Sequence, residues 1–294
     1  MRYALIVPNW APYDQRLMVR LALEAEDLGY ERIFYTDHLM NPYTESEGFA
    51  EETVEAWGLL SYLAGRTQTI RLGTAVTPIS LRPPALLAKQ VATIDRLSGG
   101  RIDLGVGTGW SAGSFGVIDT SFGDPQSRKR RLREGIELIV RLWSEGRVDF
   151  DGEYYSSHDA VIGPKPLQEP HPPLWVGGWR KNMLSITAEL GQGWIPWNRT
   201  VDFYAGALRQ VREQVAELGR ADVITYGTAN LVVPDRLAGQ DFAMVHGDQP
   251  NITRATIGEW AERYEAAGAD LLAMLIFPPE DALDIARHVA RELM

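Results

Sequence analysis

The chain has 294 residues, of which 45% are hydrophobic and 23% charged, a composition typical of a globular protein with a sizeable core. Its formal net charge of −10 argues against a general nucleic-acid binder and against binding to anionic membranes, although a local basic cluster can still hold an anionic ligand. The absence of cysteine excludes disulfides, thiolate catalysis and cysteine-ligated metals.

Short apolar runs alternate with amphipathic helical patterns along the whole chain. The apolar runs predict strands at residues 4–7, 32–36, 70–76, 102–106, 174–176, 194–197, 224–233 and 271–277. Each is followed by a helical pattern, such as the one that places Leu87, Val91 and Ile94 on one face. Eight such units in this order favour a (β/α)8 TIM barrel in which residues 1–294 form one domain, with a doubly wound open sheet as the alternative.

Three irregular segments interrupt this alternation. Residues 111–127 and 234–251 follow predicted strands, and we expect them to be insertion loops that cover the C-terminal face of the barrel. Residues 147–173 predict a small hairpin with a proline-rich return. We see neither a signal-peptide pattern nor an apolar stretch with the length of a membrane span, so we expect a cytoplasmic protein that does not contact the membrane.

Asp37 and His38 come directly after the second predicted strand, on the face where barrel enzymes place their catalytic groups. A histidine there can relay a proton or donate a hydrogen bond near neutral pH, and it can equally be a loop residue without a task. We expect no metal site, because no set of histidines and carboxylates has the spacing of metal ligands.

Glycine-rich turns end two neighbouring predicted strands, at residues 105–109 and at Gly177-Gly178. The second turn precedes a helix whose N-terminus, beside Arg180, offers N–H groups to an anion, so the two turns together predict a phosphate site. Trp10 and Trp110 lie near strand ends and suit a flat, apolar ligand. The basic run at residues 128–133 is either a solvated helix face or a region that attracts an anionic ligand.

Several segments carry a resemblance to a known family: TDHL at 36–39, RLGTAVTP at 71–78, residues 86–110, LREGIELIVRLW at 132–143 and PLWVGGW at 173–179. They resemble the luciferase-like monooxygenase superfamily, and within it the coenzyme F420-dependent oxidoreductases. The resemblance implies a (β/α)8 barrel with a flavin or a deazaflavin at its C-terminal mouth.

The resemblance also implies roles for individual residues. His38, paired with Asp37, would face the redox centre of the ring. Thr74, Ala75 and Val76 would form a bulge that supports the ring, with a cis peptide between Ala75 and Val76. Backbone contacts to the phosphate would come from Thr108, Gly109, Gly177 and Gly178. Val176 is a further expected cofactor contact. From their position near strand ends, and not from the resemblance, we expect Trp10 and Trp110 to contact the substrate. Trp110 stands where some deazaflavin-dependent sugar-phosphate dehydrogenases carry a catalytic glutamate, which indicates a bulkier or more apolar substrate.

The expected function is therefore hydride transfer between coenzyme F420 and a small organic substrate. The alternative is a two-component monooxygenase that takes reduced FMN from a separate reductase and activates oxygen. A non-redox barrel with paired carboxylates and a cofactor-binding protein without catalysis are further alternatives. The expected partners are a small-molecule substrate, a separate flavin or F420 reductase and a second copy of the chain in a homodimer.

Overall fold

The computed structural model describes residues 1–44, 48–220, 224–242 and 250–294. Within them the strands are β1 (Arg2–Val7), β2 (Arg32–Tyr35), β3 (Arg71–Thr74), β4 (Thr77–Pro78), β5 (Ile102–Gly107), β6 (Val148–Asp151), β7 (Ser156–Ala160), β8 (Leu174–Gly177), β9 (Gly193–Ile195), β10 (Thr225–Val233), β11 (Ile252–Thr253) and β12 (Leu271–Ile276). The helices are α1 (Gln15–Asp27), α2 (Ala56–Ala64), α3 (Pro84–Leu97), α4 (Ala112–Val117), α5 (Pro125–Ser144), α6 (Lys181–Leu190), α7 (Val201–Glu217), α8 (Ile257–Ala266) and α9 (Ala282–Leu293). Short 3₁₀ helices occupy Ile79–Leu81, Asp235–Leu237 and Pro279–Asp281.

Eight parallel strands close into a barrel in the order β1, β2, β3, β5, β8, β9, β10, β12 and back to β1. This closure confirms the predicted (β/α)8 barrel and excludes a doubly wound open sheet, which would leave two unpaired edges. Every predicted strand is present. The predicted strand at 70–76 is shorter than expected, because β3 ends at Thr74 and the ladder to β5 resumes at β4.

Charged and aromatic side chains fill the N-terminal end of the barrel interior. Asp103 on β5 is fully buried and accepts hydrogen bonds from Arg32 at 2.8 Å and from Arg71 at 3.1 Å. The guanidinium of Arg32 also lies 4.6 Å from the centroid of the Trp175 ring. Since these groups occupy the N-terminal end of the interior, the cavity described below opens toward the C-terminal ends of the strands.

Helix boundaries follow local capping chemistry. Asp14 caps α1 by accepting a hydrogen bond from the N–H of Leu17 at 2.7 Å, and Asp124 caps α5 by accepting one from Gln126 at 2.8 Å. Because Asp124 and Pro125 form a favourable helix start, the predicted loop at 111–127 was too long: it contains α4 and the first residues of α5.

The predicted hairpin at 147–173 is confirmed by the antiparallel pair β6–β7. Glu134 on α5 anchors it by accepting hydrogen bonds from the N–H groups of Glu153, Tyr154 and Tyr155 at 2.6–3.0 Å. The hairpin lies between the end of α5 and the start of β8, so it does not belong to the C-terminal loops. Of the predicted loop at 234–251, residues 243–249 lie outside the described residues. None of the described helices is both long and apolar enough to cross a membrane.

Candidate functional site

A cavity of about 390 Å³ opens at the C-terminal ends of the barrel strands. This volume lies within the range of roughly 300–1,000 Å³ that is usual for small-molecule sites. Its walls come from strand ends and from the loops that follow them: Ile6, Trp10, Thr36, His38, Tyr43, Ala75, Val76, Pro78, Gly107, Thr108, Gly109, Trp110, Gly177, Gly178, Trp179, Arg180, Met183, Ile195, Trp197, Ala229 and Leu275. The cavity therefore gathers residues that are far apart in sequence, and most of its surface is apolar or aromatic.

The break between β3 and β4 forms one wall. Ala75 and Val76 both line the cavity, and the peptide bond between them is cis, as the resemblance implies. A Cβ at Gly107 would lie 2.6 Å from Cγ2 of Val76, and one at Gly177 would lie 3.2 Å from it. Since side chains at those two positions would occupy the space of Val76, the glycines of β5 and β8 form a socket that fixes the valine.

The two glycine-rich turns meet at the cavity. Gly109 and Gly178 have φ values of +75° and +100°, which disfavour side chains, and both line the cavity beside Thr108. Helix α6 begins immediately afterwards with Arg180 as its N-cap, and no side chain caps its N-terminus by a hydrogen bond. Exposed backbone, a helix N-terminus and the Arg180 guanidinium together fit a phosphate group.

His38 is held between two indole rings. Its ring centroid lies 5.0 Å from that of Trp10 and 5.4 Å from that of Trp110. Asn9 fixes the backbone, accepting a hydrogen bond from the N–H of His38 at 3.2 Å and donating one to its carbonyl at 2.9 Å. Burial lowers the pKa of His38 to about 4, so the imidazole is neutral at pH 7 and can accept a proton or donate a hydrogen bond.

Asp37 does not orient His38 in this structure, contrary to expectation. Its carboxylate is fully buried and accepts hydrogen bonds from Arg82 at 2.6 and 2.9 Å and from the Thr77 hydroxyl at 2.8 Å. Arg82 also pairs with Glu55. Successive residues of an extended chain point to opposite sides, so His38 faces the cavity while Asp37 faces the surrounding structure.

Two other predicted contacts lie behind the wall. Thr74 is fully buried and donates a hydrogen bond to the Gly105 carbonyl at 3.0 Å, and the Val176 side chain is fully buried in the core. Neither is among the cavity-lining residues, whereas the other predicted cofactor contacts and both tryptophans are. The basic run at 128–133 also lies apart from the lining, and two of its arginines are paired, Arg130 with Glu153 and Arg133 with Glu189.

Sequence reasoning missed three residues of this region. Arg82 neutralises Asp37 from 45 positions away, Asn9 holds His38, and Tyr43 lines the cavity. The only sequence signal for Arg82 is that it precedes Pro83-Pro84 at a helix start. That position predicts a side chain near the C-terminal ends of the strands, but it does not predict which residue the side chain pairs with.

The profile of the luciferase-like monooxygenase family matches residues 9–238. The chain belongs to this family. The F420-dependent glucose-6-phosphate dehydrogenase of Kineococcus radiotolerans is 34% identical over 204 residues, which cover 68% of this chain and 58% of that protein. The FMNH(2)-dependent dimethylsulfone monooxygenase of Pseudomonas putida is 29% identical over 203 residues, covering 69% and 54% respectively.

Among solved structures, an F420-dependent secondary alcohol dehydrogenase in complex with an F420-acetone adduct superposes with a TM-score of 0.84 and 18% identity, covering 98% of this chain and 97% of that one. At this identity the likeness shows the fold, which agrees with the closed barrel. The chain spans little more than half the length of the curated relatives it matches.

Proposed function

We propose that the protein is a coenzyme F420-dependent oxidoreductase that transfers a hydride to or from a small organic substrate. The observation that carries this proposal is that one cavity brings together the Val76 wall, the two glycine-rich turns and the neutral His38. The names of the F420-dependent relatives support the choice of cofactor.

The residues present fit such a cofactor. Ala75 and Val76 would support one face of the ring, and Thr108, Gly109, Gly177 and Gly178 would bind the phosphate together with the N-terminus of α6. When bound, the deazaflavin supplies a carbon that accepts or releases a hydride. The apolar and aromatic walls would limit the access of water to the reacting groups once the ligands are bound.

His38 would handle the proton. With an alcohol substrate, the His38 imidazole would take up the hydroxyl proton as the carbonyl forms, and the bound deazaflavin would supply the hydride acceptor. A neutral imidazole accepts this proton directly, which an imidazolium could not do. Asp37 and Arg82 would act as positioning residues that fix the loop carrying His38.

An FMN-dependent monooxygenase is the second candidate, because the Pseudomonas putida relative is named as FMNH(2)-dependent. The same wall and phosphate turns suit the ring and phosphate of FMN. A separate reductase, a homodimer, a cytoplasmic location and a single domain over residues 1–294 remain predictions.

Binding separates the two candidates. The purified protein is titrated with oxidised F420, with FMN and with reduced FMN, and complex formation is followed by fluorescence. Saturable binding of F420 with weaker binding of both FMN forms supports the proposal. A preference for reduced FMN supports the monooxygenase, and binding of none of the three removes both.

The role of His38 is tested by substitution. His38→Ala should reduce turnover by about 10²–10⁴-fold, because it removes a general base. The Kd for F420 should stay close to that of the unchanged protein, since the phosphate turns are untouched. His158→Ala, on the exposed hairpin strand β7, is the matched control. Unchanged turnover in His38→Ala would remove this residue from the mechanism.

A further inference from the structure

Four rings meet around one end of the cavity. Trp10 contacts His38 and Tyr43, with ring centroids 5.0 and 5.7 Å apart, and Trp110 contacts the same two rings at 5.4 and 5.7 Å. All four residues line the cavity. We call this closed cycle of ring contacts the aromatic box.

The aromatic box carries no charge. Two indoles and a phenol are neutral at physiological pH, and burial lowers the pKa of the fourth member, His38, to about 4. Aromatic ring faces carry partial negative charge and therefore disfavour anions, and their apolar surface favours contact with apolar groups. A dianionic phosphate placed here would lose its hydration without gaining a cation, which is costly.

The positive charge of the cavity lies elsewhere. Among the described lining residues Arg180 is the one with a permanently charged side chain, and it stands beside Gly178 at the N-terminus of α6. That position is the phosphate site assigned to the cofactor above. A second arginine, Arg199, packs its guanidinium 3.5 Å from the centroid of the Trp179 ring, outside the lining.

We infer that the aromatic box binds the apolar body of a neutral alcohol or carbonyl substrate, and that the protein does not use a sugar phosphate. This inference rests on the proposed function, which determines how the substrate is oriented in the cavity. The substrate oxygen would hydrogen-bond to His38, and its apolar body, flat or cyclic, would pack against Trp10, Tyr43 and Trp110. The half-exposed indole of Trp110, 51% accessible, would be covered by the bound ligand.

Calorimetry tests the inference without depending on the cofactor. Cyclohexanone and glucose 6-phosphate are titrated separately into the protein alone and into the protein saturated with F420. We expect saturable binding of cyclohexanone, no saturable binding of glucose 6-phosphate, and turnover of cyclohexanol by the F420-loaded enzyme. Trp110→Ala should weaken cyclohexanone binding by about tenfold, because it removes one apolar wall.

Trp260→Ala is the matched control, since Trp260 packs on Arg263 and Tyr264 away from the cavity, and it should leave cyclohexanone binding unchanged. Circular dichroism and the Kd for F420 establish that both variants fold. If F420 binds and the loaded enzyme oxidises glucose 6-phosphate, the inference is overturned while the proposed function stands, and loss of that oxidation in Arg199→Met would identify Arg199 as the phosphate contact. If F420 does not bind, the proposed function fails, and the titrations of the protein alone still decide the inference. Equal loss of cyclohexanone binding in Trp110→Ala and Trp260→Ala would also overturn it.

Discussion

Val76 keeps its place in the cavity wall because the neighbouring strands carry glycine. In Gly107→Ala the new methyl carbon would lie 2.6 Å from Cγ2 of Val76, so the valine must move. We expect the Kd for F420 to rise by about tenfold or more, since the wall that we propose supports the ring would shift. Fluorescence titration measures this directly.

A compensating change makes the Gly107 experiment specific. Replacing Val76 by Ala in the Gly107→Ala background removes the colliding methyl groups and should restore most of the affinity. Gly146→Ala is the control, because a Cβ there meets nothing within 4 Å. Loss of affinity without recovery in the double variant would show that the socket does not act through Val76.

Burial of a neutral His38 makes stability depend on pH. The pKa is about 4 in the folded chain and about 6.5 in an unfolded one, so between these values the unfolded state binds more protons. The contribution of His38 to the free energy of unfolding is therefore fully present above pH 6.5 and falls as the pH drops toward 4. Between pH 7 and pH 5 the His38 contribution should fall by about 2 kcal/mol.

Urea unfolding at the two pH values tests this, with His38→Gln for comparison. The variant should lose less stability than the unchanged protein between pH 7 and pH 5, and the exposed His158→Gln should behave like the unchanged protein. Identical losses in all three proteins would contradict a buried, neutral imidazole.

Individual site residues differ in how well the sequence predicts them. His38, Trp10, Trp110 and the two glycine turns were found because each follows a strand, and strand ends of a parallel barrel converge. The partner of Asp37 was not found, because the direction of a side chain after a strand depends on alternation within the folded loop. A single sequence contains no signal that links Asp37 with Arg82.

An ion-pair network centred on the buried Arg82 joins three elements at the C-terminal face. Arg82 precedes α3, Asp37 follows β2, and Glu55 is the N-cap of α2. Arg82→Ala would leave the buried Asp37 carboxylate without its cation, which should destabilise the protein by about 3–5 kcal/mol.

An exposed ion pair provides the control for the Arg82→Ala measurement. Arg147 and Asp159 are paired on the hairpin with side chains 59% and 79% accessible, so Arg147→Ala should cost less than about 1 kcal/mol. Urea unfolding at pH 7 compares the two variants. A small loss in Arg82→Ala would mean that water reaches and solvates Asp37.

Strands and helices were predicted better than the segments between them. Apolar runs located every barrel strand because parallel strands are buried on both faces. Helix α4 was missed since its sequence, AGSFGV, has too few apolar positions to show a helical period, and it is fixed by packing of Phe115 against Gly109 and Phe122. The break after β3 was given by the resemblance and not by any apolar pattern.

The barrel is not equally well paired around its circumference. Strands β9 and β10 pair at Gly193 with Thr225 and at Trp194 with Tyr226, followed by a bridge from Trp197 to Ala229. Pro196 has no N–H to donate to β10, so one hydrogen bond is missing from this pairing, while its carbonyl accepts one from the N–H of Ala229 at 3.0 Å. Strands β10 and β12, in contrast, pair continuously along their length.

Hydrogen exchange followed by mass spectrometry should reveal the incomplete pairing between β9 and β10. We expect the amides of residues 193–198 to exchange faster than those of β1, which pairs continuously with β2 and β12. Pro196→Ala should leave β1 unchanged. Equal exchange in the two strands would show that the pairing between β9 and β10 is as stable as the rest of the barrel.

The aromatic box has a thermodynamic consequence. A ligand that covers its rings removes apolar surface from water, and such burial gives a negative change in heat capacity. The enthalpy of binding then becomes more favourable on warming. Affinity for an apolar ligand should therefore pass through a maximum at the temperature where the binding enthalpy is zero, so the protein would hold such a ligand most tightly within a limited range of temperature.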